Sequence, residues 1–153
     1  MEEPVKICII GGGISGTSVA IRLAQKGFYV TIYEKEKFPR DIVGEGLSPA
    51  IIEYLKELDI FEDIESCANV VKKVGLQLVS PDGSKAYTRI DMSVSPYKDG
   101  LHNYPYGYNV KRKDFDNVFM NKAKSLGVKV YEETPVKKIL IEEGKVVGVE
   151  VLK

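Results

Sequence analysis

The feature that most constrains this chain is Gly11-Gly12-Gly13-Ile14-Ser15-Gly16, a G-x-G-x-x-G pattern formed by Gly11, Gly13 and Gly16. The apolar run from Val5 to Ile10 leads into it. It reads as a short parallel strand whose near-continuous hydrophobic pattern predicts cover on both faces. Ser18 to Lys26 follows as a helix, with Val19, Ala20, Leu23 and Ala24 as its apolar stripe and Gly27 as its stop. Phe28 to Tyr33 gives a second strand, and Glu34 stands at its far end. Strand, glycine turn, helix, strand and terminal acid together make a dinucleotide-binding fingerprint. Gly11 permits the tight turn, Gly13 lets a pyrophosphate approach the backbone, and Gly16 lets the helix pack closely on the strand. The helix N-terminus offers unpaired N–H groups and partial positive charge to phosphates. Glu34 can accept hydrogen bonds from ribose hydroxyls and would repel a 2′-phosphate, which disfavours NADP.

Composition narrows the class. The chain has 153 residues, 44% hydrophobic and 29% charged, with 22 Lys+Arg balancing 22 Asp+Glu. That is the composition of an ordinary globular domain, and no basic face points to nucleic acid. The apolar runs are far too short to span a bilayer. The acidic start Met1-Glu2-Glu3-Pro4 lacks a signal-peptide pattern, so a cytoplasmic location is expected. Cys8 and Cys67 have neither metal nor redox spacing, and Cys8 reads as a small buried apolar residue.

Past the fingerprint, Lys37 to Pro49 reads as a loop that ends in a helix start, with Ser48 as N-cap and Pro49 at the first helical position. Ile51, Ile52, Leu55 and Leu58 form the stripe of that helix. Arg40 fits either a surface cation or a cation near cofactor phosphates. Val74 to Val79 and Lys85 to Ile90 read as a hairpin closed by Ser80-Pro81-Asp82-Gly83-Ser84. Ser93 to Gly107 is rich in Pro, Gly and Tyr and holds the single histidine, His102, which reads as a surface residue. Tyr108-Asn109-Val110 returns to strand. Asp114 then reads as the cap of a helix with Phe115, Val118, Phe119, Ala123 and Leu126 on one face. Gly127 ends it, Val128 to Tyr131 forms another parallel strand, and Val136 to Ile141 with Val146 to Leu152 forms a final hairpin.

Three blocks give this order a wider resemblance: Val5 to Lys35; Arg40-x-x-x-Gly44-Glu45-x-Leu47-x-Pro49; and Tyr108-x-Val110-x-Arg112-x-x-Phe115-Asp116 with Ala123 and Leu126-Gly127-Val128. In this order they resemble the flavoprotein monooxygenase fold, in its geranylgeranyl reductase and flavin-dependent halogenase branch. The resemblance implies FAD rather than NAD. It implies that Gly13, Ile14, Ser15 and Gly16 hold the pyrophosphate, with Glu34 at the adenosine ribose and its neighbour Lys35 also among the cofactor-binding residues. Arg40 and the turn Val43-Gly44-Glu45-Gly46-Leu47 would lie along the flavin side, Arg112 near the pyrophosphate and ribityl chain, and the Val136 backbone at the adenine. A simple ion pair with a nearby acid is the other reading of Arg112.

The Ser80-Pro81-Asp82-Gly83 hairpin resembles geranylgeranyl reductases, which reduce prenyl double bonds by hydride transfer from reduced flavin. Val43-Gly44-Glu45 is closer to the halogenases, and Lys73-Val74-Gly75 falls near their active-site lysine. A solvated lysine beside Lys72 is the other reading of Lys73, and no tryptophan motif is present.

The expected fold is α/β, a Rossmann-like parallel sheet with helices plus antiparallel hairpins. The expected domains are an FAD-binding βαβ unit and helix over 1–70, an antiparallel insertion over 71–107, and a continuation of the FAD domain over 108–153. The expected function is an FAD-dependent reductase acting on a prenyl or other hydrophobic small molecule. A halogenase or hydroxylating monooxygenase is the first alternative, a non-catalytic nucleotide-binding module the second, and a plain NAD dehydrogenase the third. Family members are longer, so the chain is expected to be an N-terminal portion that holds the ADP half of FAD. A partner copy or a further portion is expected to cover its exposed apolar surface. The residues single out no catalytic acid, base or nucleophile and no metal ligand set.

Overall fold

The computed structural model describes residues 5–78, 80–82, 88–91 and 104–152. Its elements run β1 (Lys6–Ile10), α1 (Ile14–Gln25), β2 (Tyr29–Tyr33), β3 (Glu45–Leu47), α2 (Ile51–Glu57), α3 (Phe61–Glu65), β4 (Val70–Lys73), β5 (Gly75–Leu78), β6 (Thr88–Asp91), β7 (Gly107–Val110), α4 (Arg112–Ser125), β8 (Lys129–Tyr131), β9 (Val136–Glu142) and β10 (Lys145–Val151). The chain divides into two compact units, Met1–Asp41 with Asp116–Lys153, and Ile42–Phe115.

The first unit is the Rossmann-like part. Its sheet has the order β1-β2-β8, all parallel, with Ile7 opposite Val30 and Ile32 opposite Val130. α1 begins at Ile14, four residues before the helix read from sequence. Its packed face also differs from the expected stripe. Thr17, Ala20 and Ile21 are buried, whereas Val19 is 51% exposed and leaves the expected stripe. Val30, Ile32, Phe119, Met120 and Ala123 complete this core, the four larger side chains contributing about 1.5–3 kcal/mol each if fully buried.

The expectation that the first strand is covered on both faces is corrected. β1 is an edge strand of the described sheet and alternates exposed with half-buried residues. Cys8 is exposed for the same reason, not buried. β9 and β10 form an antiparallel hairpin whose turn places Glu143 and Gly144 at φ 48° and 76°. Two consecutive left-handed residues match the right-handed twist of the flanking strands.

The second unit packs helices against a small antiparallel sheet of order β3-β7-β4. Ile52, Leu55, Leu58, Ile60 and Ile64 are fully buried, together with Tyr108, Val110 and Phe115. Three elements here escaped the sequence reading: β3, inside the stretch read as a loop, and α3 and β4. Each has at most five residues, too few for a period to stand out.

Two expected caps also move. α2 starts at Ile51, and Ser48 supplies only its carbonyl, which accepts the Ile51 N–H. α4 starts at Arg112, two residues before Asp114, and the Lys111 carbonyl accepts the Asp114 and Phe115 N–H groups. The Asp114 carboxylate accepts instead from Asn69 Nδ2 at 2.7 Å. The β5–β6 hairpin is present as an antiparallel pair, with Gly75 opposite Asp91 and Leu78 opposite Thr88. His102 lies outside the described residues. Among the described residues no helix is long and apolar enough to cross a membrane.

Candidate functional site

In the first unit the glycine loop joins β1 to α1 with almost no spare room. Gly11 has φ 97°, a conformation that a side chain would strain. A Cβ on Gly16 would run into the Gly11 carbonyl oxygen, so the helix can approach the turn only with glycine there. α1 has no side-chain cap and no acidic residue in its first turn. The N–H groups at its start therefore have no intrahelical acceptor and face outward with the positive end of the helix dipole.

Glu34 closes the loop from the other side. It is 2% exposed. Its Oε2 accepts the Gly12 N–H at 2.6 Å and its Oε1 accepts the Glu36 N–H at 2.9 Å. The acid read as a ribose ligand is thus also a clasp between loop and strand. A carboxylate has about four acceptor positions, so capacity remains for hydroxyl donors. A buried carboxylate needs a counter-charge, and Arg40 supplies it with Nη1 3.7 Å from Glu34 Oε1. The same nitrogen lies 3.0 Å from Glu36 Oε2, and the Arg40 hydrogen bond holds the Glu36 carboxyl below its usual range.

Arg40 Nη2 stands 3.3 Å from where a Cβ on Gly13 would lie, and its Nε is buried with no hydrogen-bond partner. A guanidinium presents Nε and Nη2 as one fork suited to a phosphate. Gly11, Gly13, Glu34, Lys35, Arg40 and Val136 line a cavity of about 320 Å³. Six residues read from sequence as cofactor ligands therefore share one cavity. An unpartnered buried guanidinium nitrogen, a glycine floor and uncapped helix N–H groups fit a dinucleotide pyrophosphate. Ile14 and Ser15 form the first helical positions beside it.

In the second unit Gly44, Glu45 and Gly46 line a separate open cavity of about 450 Å³ with Asn69, Asn109 and Lys111. β3 lies so close to β7 that a Cβ on Gly44 would come within 2.8 Å of the Val110 carbonyl oxygen. Leu47 is half-buried opposite Tyr108, whereas Val43 is 84% exposed. Arg112 Nη1 pairs with Glu45 Oε1 at 2.5 Å. Both residues had been read as site residues, and the ion pair that was the alternative for Arg112 is present.

β4 sends its two lysines to opposite faces. Lys72 pairs with Glu65 Oε2 at 2.7 Å and lies 4.2 Å from the Tyr106 ring centroid. Lys73 Nζ instead lies 3.1 Å from where a Cβ on Gly46 would stand, beside Asn109 Oδ1.

Glu65, Tyr106 and Tyr108 were missed by the sequence reading. The Tyr108 hydroxyl donates to Glu65 Oε1, and the Tyr106 hydroxyl reaches the same oxygen at 3.4 Å. Burial raises the Glu65 carboxyl, but hydrogen bonds from Lys72 and Tyr108 outweigh it and leave the group below its usual range. Burial, then the Glu65 hydrogen bond, push the Tyr108 hydroxyl up. The tyrosine run at 104–108 was the available signal, but nothing in sequence links it to a glutamate about forty residues earlier.

Known proteins agree with the geometry. The family described as FAD dependent oxidoreductase matches residues 6–42. The chain is 34% identical over 141 residues to the flavin-dependent halogenase armH2 of Armillaria mellea, covering 91% of this chain and 25% of that protein. It is 31% identical over 142 residues to a 1H-pyrrole-2-carbonyl-[peptidyl-carrier protein] chlorinase of Pseudomonas fluorescens, covering 86% and 31%. The solved structure of CmlS, a flavin-dependent halogenase, superposes with TM-score 0.78 at 31% identity, covering 99% of this chain and 28% of that one. The chain thus spans about a quarter to a third of the length of these relatives.

The expected geranylgeranyl reductase function is overturned by these matches. Likeness over nearly the whole chain runs to halogenases, and hydride transfer to a prenyl chain has no support. FAD, the cofactor implied by the three blocks, is the cofactor of this fold. Glycine cradle, acid clasp, partly unpartnered arginine and relatives converge on one assignment: the chain belongs to the flavin-dependent oxidoreductases, in the halogenase and monooxygenase branch of the FAD-binding fold.

Proposed function

We propose that this chain is the FAD-binding part of a flavin-dependent halogenase acting on a small, apolar, electron-rich molecule such as a pyrrole or phenol. The observation that carries the reading is Lys73. Its ammonium lies near the Gly46 backbone beside Asn109 and the residue is half-buried, while its exposed neighbour Lys72 is bound to Glu65. Lys73-Val74-Gly75 resembles the region near which halogenases carry their active-site lysine. An ammonium with no carboxylate partner among the described residues donates to the oxygen of an oxidised halogen species and polarises it toward an electron-rich carbon.

In this reading the backbone of Gly11, Gly13, Ile14, Ser15 and Gly16 holds the pyrophosphate. Arg40 donates its free fork to the phosphates, Glu34 and Lys35 face the ribose, and the Val136 backbone faces the adenine. Val43, Gly44, Glu45, Gly46, Leu47 and Arg112 serve the flavin side. When bound, FAD supplies the redox chemistry, and the protein supplies binding and orientation.

The test is product analysis in the native polypeptide that carries this chain, given reduced FAD, dioxygen, chloride or bromide and a pyrrole or phenol probe. A halogenated product in the native protein, lost in Lys73→Met with FAD binding retained, is expected. A hydroxylated product that Lys73→Met leaves unchanged would overturn the halogenase reading in favour of a monooxygenase.

A further inference from the structure

Arg40 reaches the glycine loop with one end of its guanidinium engaged. Nη1 donates to Glu36 Oε2 at 3.0 Å and lies 3.7 Å from Glu34 Oε1. Nη2 stands 3.3 Å from where a Cβ on Gly13 would lie, and Nε is buried with no hydrogen-bond partner among the described residues. Both carboxylates thus meet the same nitrogen. The Nε–Nη2 edge, the one suited to bidentate contact with a phosphate, lies on the other side of the group.

Three contacts act on this orientation, and two of them lack direction. The guanidinium lies over the Phe38 ring, 5.1 Å from its centroid. Attraction of a cation to a ring face is electrostatic and leaves a flat ion free to turn in its own plane. Glu34 stands at 3.7 Å, beyond hydrogen-bond distance, and its two oxygens already accept the Gly12 and Glu36 N–H groups. Its charge draws whichever edge of the guanidinium is nearer. The Glu36 contact is a hydrogen bond, and it specifies Nη1. Glu36 is itself held, since its N–H donates to Glu34 Oε1 at 2.9 Å and its carbonyl faces the Glu133 N–H at 3.5 Å. Its other oxygen has Lys35 Nζ at 3.8 Å, but that lysine side chain is 69% exposed and its pull is weak.

We propose that Glu36 is a positioning residue for cofactor binding: by holding Arg40 Nη1 it keeps the Nε–Nη2 fork directed at the pyrophosphate and away from Glu34. This role rests on the pyrophosphate lying at the glycine loop, as proposed above, and holds whether the enzyme halogenates or hydroxylates. Without the Glu36 carboxylate, the strongest acceptor within reach of Arg40 is Glu34. The fork turns toward it, and the phosphates lose their bidentate donor. The sign of the effect separates this role from simple electrostatics. A carboxylate beside a phosphate site repels the ligand, so if Glu36 acts by charge alone its removal strengthens binding. If Glu36 acts through Arg40, its removal weakens binding.

The experiment compares ADP with adenosine on the native polypeptide that carries this chain, freed of flavin, by calorimetric titration for ADP and ligand-observed NMR for adenosine. Glu36→Ala should weaken ADP about fivefold, the effect of losing one ion-pair contact of this kind. Adenosine, which carries no phosphate, should change by less than about twofold. Glu36→Gln keeps an acceptor oxygen for Nη1 and removes the charge, so ADP affinity should return to within about twofold of the wild type. Arg40→Met should weaken ADP at least about tenfold, and adding Glu36→Ala to it should cause no further loss.

A Glu36→Ala variant that binds ADP as tightly as the wild type, or more tightly, overturns the proposal. Equal losses of ADP and adenosine overturn it as well, because the defect would then lie in the shape of the loop. So does a further loss when Glu36→Ala is added to Arg40→Met, which places the effect outside the guanidinium. A Glu36→Ala variant that fails to fold makes the carboxylate a stability element and overturns the proposal too. Arg40→Met that binds ADP normally removes the pyrophosphate from this arginine and defeats both the site reading and the role of Glu36. Loss in Arg40→Met without loss in Glu36→Ala defeats the role of Glu36 alone.

Discussion

The two units build their sites from different materials. In the first, the cradle is backbone: a glycine turn with φ 97°, a helix whose first N–H groups are uncapped, and a strand end clasped by Glu34. In the second, the surface is shaped by side chains: Glu65 with Lys72 and two tyrosines, Glu45 with Arg112, and Lys73 over Gly46. A backbone site fails when space is filled, because the neighbouring backbone cannot step aside. A side-chain site fails when a charge or hydrogen-bond partner is removed. The same substitution chemistry should therefore affect the two units differently.

The largest effect is expected from Gly16→Ala. The added Cβ meets the Gly11 carbonyl oxygen, and relief requires opening the turn. A cost of about 1–3 kcal/mol is expected, typical of forced overpacking. ADP affinity should fall at least about tenfold, as read by chemical denaturation and calorimetric titration. If Gly16→Ala binds ADP as tightly as the wild type, the backbone cradle is not the binding element.

Glu34→Ala comes next. It leaves the Gly12 and Glu36 N–H groups without their acceptor and Arg40 without one of two carboxylates. Loss of about 1–3 kcal/mol is expected for donors left unpaired in a buried place. Glu34→Gln keeps one acceptor oxygen and should recover part of the loss. Equal losses for the two variants would mean that charge, rather than the two hydrogen bonds, carries the clasp.

A smaller effect, confined to the second unit, follows pH. The Glu65 carboxyl titrates below its usual range when folded, so its contribution is complete above the unfolded carboxylate value and is lost as pH falls through the lowered folded value. Lys72, raised chiefly by its hydrogen bond to Glu65, gives the mirror limb: its contribution is present below the unfolded ammonium value and is lost as pH rises through the folded one. Glu65→Gln should flatten the acid limb in urea titrations between pH 3 and pH 7 (about the carboxylate range). Salt should weaken it in the wild type, because the Lys72 side chain is half exposed. An acid limb untouched by Glu65→Gln would assign the loss to other carboxylates.

The smallest change is expected for Arg112→Lys. Lysine keeps the charge opposite Glu45, and although the Arg112 side chain is 13% exposed, Glu45 is 49% exposed, so the change in the pair should stay at about 1 kcal/mol. Stability should fall by about 1 kcal/mol, while FAD binding, if Arg112 serves the flavin side, should fall more than ADP binding. Equal effects on the two ligands would leave Arg112 a structural residue rather than one that serves the flavin side.

Much of the first unit was legible before any coordinates. Gly11, Gly13 and Gly16 at fixed spacing, a hydrophobic strand on either side of a helix, and Glu34 at the strand end are local facts whose geometry follows from steric freedom and periodicity. The resemblance also singled out Lys35, Arg40 and Val136, which line one cavity with Gly11 and Gly13. Cover was misread: the runs around Cys8 and Val19 were taken as buried because apolar composition records what a residue tolerates, not what lies against it. The caps at Ser48 and Asp114 were misplaced because a good capping residue is recognised by type, whereas the helix begins where the backbone first closes its turn.

The second unit was far less legible, for a related reason. β3, α3 and β4 have at most five residues each, and the Val-Val-Lys-Lys of β4 fits both phases of a strand. Glycine spacing and periodicity determined the α/β class and the dinucleotide-binding turn, because these act within a few residues, while FAD and the halogenase and reductase branch came from the resemblance of the three blocks. Only the tertiary structure decided which lysine pairs with Glu65 and that Glu34 clasps the glycine loop. Those choices depend on partners such as Glu65 and Tyr108, 43 residues apart, whose meeting is a property of the folded unit and of no local stretch of chain.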